Sequence, residues 1–285
     1  MITVEQYFRT TVTRLTASLG AGEGDAAARI IFEDVAGYDR KYLFMNGDRD
    51  ITDYMQGKID EVVAKVEKGE PVQYAVGRAL FMGNSYEVSP AVLIPRPETA
   101  ELVDLITKEY DGKSDLTVLD VGTGSGCIAL SLARALPFSH VTGFDISERA
   151  IEVARRNAIN LKAKVEFEVC DILNAQAISD SYDIIVSNPP YICRSEATEM
   201  ESRVLDYEPD NALFVPDNDP LLFYRSIAHY ARTALRPGGT LWFEINARFP
   251  EEMRTMLTEA GFVDIDVIRD YRGLYRFTRA TLPKK

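Results

Sequence analysis

Residues 116–121, LTVLDV, form a short apolar run, Gly122-Thr-Gly-Ser-Gly126 follows it, and residues 127–135 then carry apolar side chains at helical spacing. A strand, a glycine turn and a helix in direct succession are the layout of an open α/β sheet that binds a nucleotide-like ligand at such a turn. Glycines allow positive φ and close approach of the backbone to a ligand, and the start of the helix offers free N–H groups. The five residues Gly122, Thr123, Gly124, Ser125 and Gly126 are therefore candidate cofactor-binding residues. Their spacing is G-x-G-x-G, with Cys127 where the dinucleotide fingerprint G-x-G-x-x-G places its last glycine. That mismatch argues against a nicotinamide cofactor, while a plain strand-to-helix loop is the simplest alternative.

The following strands extend the same site. Residues 140–145 are a short run ending in Asp145, at the distance from the glycines where a carboxylate meets ribose hydroxyls in such sheets. Asp145 can also cap the next helix together with Ser147, and both roles are compatible. Residues 164–171 are expected to form a third strand, ending in Asp171. Asp171 and Ile172 are candidates for the edge and face of an adenine, the alternative being an ordinary loop at a strand end.

A fourth apolar run, residues 182–187, ends in Asn188-Pro189-Pro190-Tyr191. Each proline fixes φ and removes a donor, and the residue before a proline is pushed out of the α region. The loop is thus stiff and extended, and the groups it offers are acceptors, Asn188 Oδ1 and the Pro189 carbonyl. Two acceptors beside an aromatic face suit a planar NH2 group. Asn188, Pro189 and Tyr191 are the candidate catalytic residues, and Asn188, Pro189, Pro190 and Tyr191 the candidate substrate-binding ones. Asn188 also borders the expected cofactor. The simpler alternative is a turn that stops a strand.

Taken together, Gln73-Tyr74, Leu93-Ile-Pro-Arg-Pro-Glu-Thr99, Asp120-Val-Gly-Thr-Gly-Ser-Gly126, Phe144-Asp-Ile-Ser147, Val186-Ser-Asn-Pro-Pro-Tyr-Ile192, Tyr207-Glu-Pro209, Ala212-Leu-Phe214 and Leu235-Arg-Pro-Gly-Gly239 resemble the HemK/PrmC family. That resemblance implies an α/β fold: a Rossmann-like S-adenosylmethionine-dependent methyltransferase domain with a small N-terminal helical bundle. It implies a seven-stranded sheet with one antiparallel strand near an edge. It also implies methylation of the glutamine amide in the Gly-Gly-Gln motif of peptide chain release factors, with S-adenosylmethionine as cofactor. Asn-Pro-Pro-Tyr alone marks amino methyltransferases in general, including those acting on DNA or RNA bases. The Pro-Arg-Pro-Glu-Thr and Tyr-Glu-Pro segments narrow the match to the glutamine enzymes. Some relatives carry an aromatic residue after the third strand, whereas here Ile172 leaves apolar packing on adenine without stacking. Arg96 and Glu98 are expected to order a loop over the methionine end of the cofactor, the alternative being an exposed ion pair.

The remaining sequence sets the limits. With 285 residues, of which 46% are hydrophobic, the chain is long enough for two units. Residues 1–72 are expected to be a helical substrate-recognition domain, 73–95 a hairpin linker and 96–285 the catalytic domain. Helical spacing runs from Val4 to Leu19, over 25–36 and over 59–68, with breaks at the glycines of 20–24 and at 69–71. Glu244, at the end of a predicted strand, reads as a surface or ion-paired carboxylate. The net charge of −12 and the lack of any long basic run argue against a duplex-binding face. Two histidines without ligand spacing argue against a metal. Three cysteines with no C-x-x-C pair suit a reducing compartment. No long apolar stretch or signal-like start is present, so a cytoplasmic protein with no membrane contact is expected.

Overall fold

A computed structural model of the chain describes residues 2–284. They separate into two units.

The first unit holds the residues up to Arg78 and also Glu201–Tyr207. Its helices are α1 (Val4–Leu19), α2 (Ala21–Ala36), α3 (Arg40–Asn46), α4 (Asp53–Glu67), α5 (Val72–Val76) and, from the later segment, α9 (Ser202–Tyr207). Thr3 starts α1 with a capping box, its hydroxyl accepting from Gln6 N while Gln6 Oε1 accepts from Thr3 N. Leu15, Ile31, Phe32, Ile59 and Val63 are buried in a core shared by α1, α2 and α4. Arg203 of α9 pairs with Glu23 at 2.7 Å, and the Tyr207 hydroxyl donates to the Lys68 carbonyl at 3.3 Å.

The expected break at residues 20–24 is confined to Gly20, at φ +89°, and Gly22 and Gly24 lie inside α2. Gly24 is there for packing. A Cβ on it would stand 2.5 Å from the Thr16 backbone nitrogen, so only glycine lets α1 and α2 approach this closely. Helix α4 begins well before residue 59, because the Thr52 hydroxyl caps it by accepting from Met55 N.

β1 (Arg78–Phe81), all but its first residue in the second unit, leads into β2 (Asn84–Glu87) as a hairpin, and α6 (Pro97–Glu109) follows with proline in its first turn. The central sheet contains β3 (Thr117–Val121), β4 (His140–Asp145), β5 (Glu166–Val169), β6 (Tyr182–Ser187), β9 (Leu235–Glu244), β10 (Val263–Arg269) and β11 (Tyr275–Thr281). They lie in the order β10-β11-β9-β6-β3-β4-β5, and β11 is antiparallel to both its neighbours. Two short strands, β7 (Ile192–Cys193) and β8 (Phe214–Val215), pair separately. The third strand of the site is shorter than expected: it stops at Val169, and Cys170 N bonds the Asp145 carbonyl.

Strand side chains alternate between two cores, as a pleated sheet requires. Val118, Ile184, Val186 and Trp242 pack on one face with α6, α7 (Cys127–Ala135) and α8 (Glu148–Leu161). Leu119, Ile185, Leu241 and Phe243 pack on the other with α11 (Leu222–Ala234) and α12 (Pro250–Glu259). A short helix, α10 (Asp210–Leu213), leads into β8.

Sheet register builds the site. Val121 is paired with Phe144 and Ser187, and Ser187 with Phe243. The next residues, Gly122, Asp145, Asn188 and Glu244, therefore leave four adjacent strands at the same level. The chain leaves β3 for opposite sides of the sheet, towards β4 and later β6, and ligands bind outside the carboxyl ends of strands at such a switch point.

Candidate active site

The glycine turn is tied to β4. Gly122 N and Thr123 N both donate to the Phe144 carbonyl at 2.8 Å, with Gly122, Gly124 and Gly126 at φ +75°, +54° and +80°. A Cβ on Gly126 would crowd Leu130, Ala154 and Phe167, whereas the Cβ directions of Gly122 and Gly124 meet nothing within 4 Å. Asp145 braces the turn from its other side. Its Oδ2 accepts from Gly124 N and its Oδ1 from Ser147 N, both at 2.9 Å. An ionised carboxylate has about four acceptor positions, so two remain for a ligand. The Thr123 hydroxyl points away into the protein, donating to Asp120 Oδ2 at 2.6 Å, and Ser125 Oγ is buried with no partner among the described residues. The Thr123 side chain is therefore committed to the protein and not to the cavity.

Asp120 lies fully buried beneath this turn. Ala129 N also bonds its Oδ2, while its Oδ1 is buried without a partner among the described residues. Burial raises its pKa to about 7, against the lowering effect of the Thr123 and Ala129 hydrogen bonds. Asp171 forms a turn of its own, accepting from Leu173 N at 3.0 Å and Asn174 Nδ2 at 2.7 Å, and Ile172 packs on the core behind it.

Asn188 Nδ2 donates to Thr99 Oγ1 at 3.2 Å, and Thr99 Oγ1 donates to Glu244 Oε2 at 2.7 Å. The Tyr191 hydroxyl donates to the other carboxylate oxygen at 3.2 Å. Glu244 is thus a buried anchor at the root of the loop, not the surface or ion-paired carboxylate expected from sequence. Burial pushes its carboxyl up from its ordinary pKa, partly offset by the Thr99 hydrogen bond and the nearby Arg276 charge. Burial and the Glu244 charge push the Tyr191 hydroxyl up as well. Asn246 Nδ2 holds the Tyr191 carbonyl at 3.1 Å. The loop is pinned at both ends.

One cavity of about 380 Å³ connects these parts. Its wall includes Gly122–Ser125, Asp145, Ile146, Asp171, Ile172, Asn188, Pro189 and Pro190, and on another side Leu93, Pro95, Arg96 and Thr99. Gly126 and Tyr191 are outside this lining: Gly126 closes the turn against the core, and the Tyr191 ring packs with the residues around Tyr224 and Phe243. The Tyr191 hydroxyl is turned to Glu244, away from a free role in this cavity wall. Arg96 is not an exposed pair either. It meets Glu208, whose side chain is 1% exposed.

The sequence matches two known families. Residues 8–77 match the PrmC N-terminal domain, and residues 112–265 match a methyltransferase domain. A release factor glutamine methyltransferase of Bacteroides thetaiotaomicron is 48% identical over 90% of this chain and 92% of its own length. The chain belongs to the release factor glutamine methyltransferase family. The Flavobacterium psychrophilum member is 36% identical over 95% of this chain and 96% of its own. The fold is also that of the Thermus thermophilus 16S rRNA N2 G1207 methyltransferase, solved with AdoMet and guanosine, at a TM-score of 0.52 and 19% identity over 72% of this chain and 49% of that one.

The cofactor this family implies is S-adenosylmethionine, and the cavity suits it. The glycine turn leaves open space where side chains would intrude. Asp145 keeps acceptor capacity for ribose hydroxyls, and Ile146, Ile172 and Leu173 give an apolar wall for a base. The volume lies within the usual range of small-molecule sites. Thr99 and Glu244 are the members of the site that sequence reasoning passed over. The available signal was a charged residue ending an otherwise apolar strand, level with Asn188.

Proposed function

We propose that this protein methylates the side-chain amide nitrogen of the glutamine in the Gly-Gly-Gln motif of peptide chain release factors, with S-adenosylmethionine as methyl donor. The observation that carries this is the orientation of Asn188: its NH2 is committed to Thr99, which leaves Oδ1 as the group offered to a target. Oδ1 receives no hydrogen bond among the described residues.

The bound cofactor supplies a methyl group made electrophilic by its sulfonium sulfur. Gly122, Gly124, Asp145 and Ile172 would hold it, with Asp171 available to the base edge. The obstacle is the target, an amide whose nitrogen lone pair is delocalised into its carbonyl. Asn188 Oδ1 and the Pro189 carbonyl would each accept one N–H, which would fix the amide plane and leave the nitrogen lone pair free for methylation. They also stabilise positive charge growing on nitrogen. No base is needed before transfer, and the surplus proton on the methylated nitrogen is acidic enough to leave to water. Orientation of this kind contributes up to ~7–11 kcal/mol, and each preorganised polar group on the order of 3 kcal/mol. Pro190 stiffens the loop, and Tyr191 anchors it.

The N-terminal domain, residues 1–72, recognises the protein substrate in this scheme, and the hairpin region of 73–95 links it to the catalytic domain. The site of action is the cytoplasm, where release factors work; no helix among the described residues is long and apolar enough to cross a membrane. Nucleic acid is not a direct partner in this reading. The test is intact-mass analysis of purified release factors after incubation with enzyme and cofactor, with the added methyl located by fragmentation. One methyl on the Gly-Gly-Gln glutamine is the expected result. Methyl transfer to DNA or RNA in place of the protein overturns it.

A further inference from the structure

A primary amide has nearly the same shape with its oxygen and nitrogen exchanged, so packing alone does not decide which atom faces outward. For Asn188 that choice separates an acceptor from a donor at the target. We infer that Glu244 makes this choice, acting through Thr99 as the positioning residue for Asn188. The inference rests on the glutamine-methylation reading of the same site.

The argument is one of proton supply. Thr99 Oγ1 stands 2.7 Å from Glu244 Oε2 and 3.2 Å from Asn188 Nδ2. A hydroxyl has a single proton, and an ionised carboxylate can only accept. Thr99 therefore spends its proton on Glu244, and towards Asn188 its oxygen can only accept. Nδ2 must lie on the Thr99 side, and Oδ1 faces away from it. The second oxygen of Glu244 takes the Tyr191 proton. A single carboxylate thus fixes a residue on each side of Pro189-Pro190.

The placement follows from the fold. Glu244 comes directly after Phe243, which is paired with Ser187, the residue before Asn188. The charged groups that act on Glu244 are Arg276, which favours the ionised form, and Glu98, which opposes it. A glutamine at 244 would remove the constraint. Its NH2 can donate to Thr99, whose own proton then becomes free to donate to Asn188. The Asn188 amide can then reverse and present NH2 to a target that itself offers NH2.

The test combines two readouts. In single-turnover methyl transfer to a release factor at saturating cofactor, Glu244→Gln and Thr99→Val are expected to lose on the order of tenfold to a hundredfold in rate. Thr99→Ser, which keeps the hydroxyl, is expected to stay near wild type, and cofactor affinity is expected to hold in all three. In an Asn188→Ala background, Glu244→Gln is expected to add little further loss, because its effect passes through Asn188. The second readout is the NMR signal of the Asn188 side-chain NH2, identified by its disappearance in Asn188→Asp. It is expected to be hydrogen-bonded and slow to exchange in the wild type and altered in Thr99→Val. Full losses that add in the double variant overturn the inference. So does an Asn188 NH2 signal indifferent to Thr99→Val. If the wild type transfers no methyl to any release factor, the functional reading falls, and the NMR comparison still decides the orientation.

Discussion

Arg96 Nη2 stands 2.5 Å from Glu208 Oε1, and the Glu208 side chain is almost wholly buried. The same carboxylate accepts from Ile94 N at 3.4 Å. Glu208 therefore fastens residues 94–96, of which Pro95 and Arg96 line the cavity. Arg96→Ala leaves a buried carboxylate without its counter-charge. Removing one partner of a buried pair costs roughly 3–5 kcal/mol, and the partial exposure of Arg96 puts this case at the low end. The expected outcome is a lower Tm in calorimetry together with weaker S-adenosylmethionine binding. Glu208→Gln leaves only the partly solvated Arg96 charge without its partner and should lose less stability. A Tm unchanged in Arg96→Ala would show that the pair is not needed to hold this wall.

The parts of this architecture that were legible in sequence are the local ones. Residues 116–135 announce a strand, a glycine turn and a helix because those signals need no partner elsewhere. The seven-stranded sheet with one antiparallel strand near an edge came from family resemblance, since strand pairing is not written in local periodicity. Gly24 looked like a helix breaker, yet its reason is the Thr16 backbone across the helix pair. Helix α3 went unnoticed because its seven residues are too few to show a helical period, and of its side chains only Tyr42 and Leu43 pack on the core, neither fully buried. Glu244 was misjudged because its burial depends on the pairing of β6 with β9, far apart in the chain.

Asp145 serves two masters, the glycine turn and the expected ribose. Asp145→Ala removes the bonds to Gly124 N and Ser147 N as well as acceptors for a ligand. Hydrogen bonds to a charged group contribute about 1.5–3 kcal/mol each, so affinity for S-adenosylmethionine should fall about tenfold or more. Isothermal titration calorimetry on the folded variant measures it. Unchanged affinity would place the ribose elsewhere.

Asp120 links stability to pH. Its pKa is about 7 in the folded protein, against an ordinary value of 3.8, and burial is the main cause. Between those two values the folded state holds a proton that the unfolded state has lost, so stability falls as pH rises through this window. Below it both states are protonated, and above it the penalty is constant. Burial also pushes Asp145 and Glu244 upward, with the same sign. Asp120→Asn should therefore flatten the fall in Tm between about pH 4 and 7 without abolishing it. An identical slope in wild type and variant would mean that Asp120 does not titrate there.

The proposed division of labour makes a contrast between substrates. A protein lacking residues 1–77 keeps every residue of the cavity wall. It is expected to retain S-adenosylmethionine binding and to lose methylation of an intact release factor far more than that of a short Gly-Gly-Gln peptide. Equal losses on both substrates would remove the recognition role. Loss of cofactor binding and of cooperative unfolding together would assign the segment to folding.

Asn188 tests the acceptor loop itself. Asn188→Ala leaves the glycine turn and Asp145 untouched and takes away one acceptor, so cofactor binding should fall only modestly. The rate of methyl transfer at saturating cofactor should fall on the order of a hundredfold or more, as for loss of one preorganised transition-state group. Asn188→Asp separates two contributions. It keeps an oxygen towards the target and adds a negative charge to the cavity wall, which would favour a cationic cofactor in the ground state. It also replaces the NH2 that donates to Thr99 with an oxygen that cannot donate when ionised. Two acceptors then face each other unless Thr99 turns its proton from Glu244 to residue 188. The aspartate should thus bind S-adenosylmethionine well and still transfer slowly, with KM for the cofactor little changed and kcat reduced. If Asn188→Ala turns over at the wild-type rate, the loop is a structural turn, and the target amide is held elsewhere.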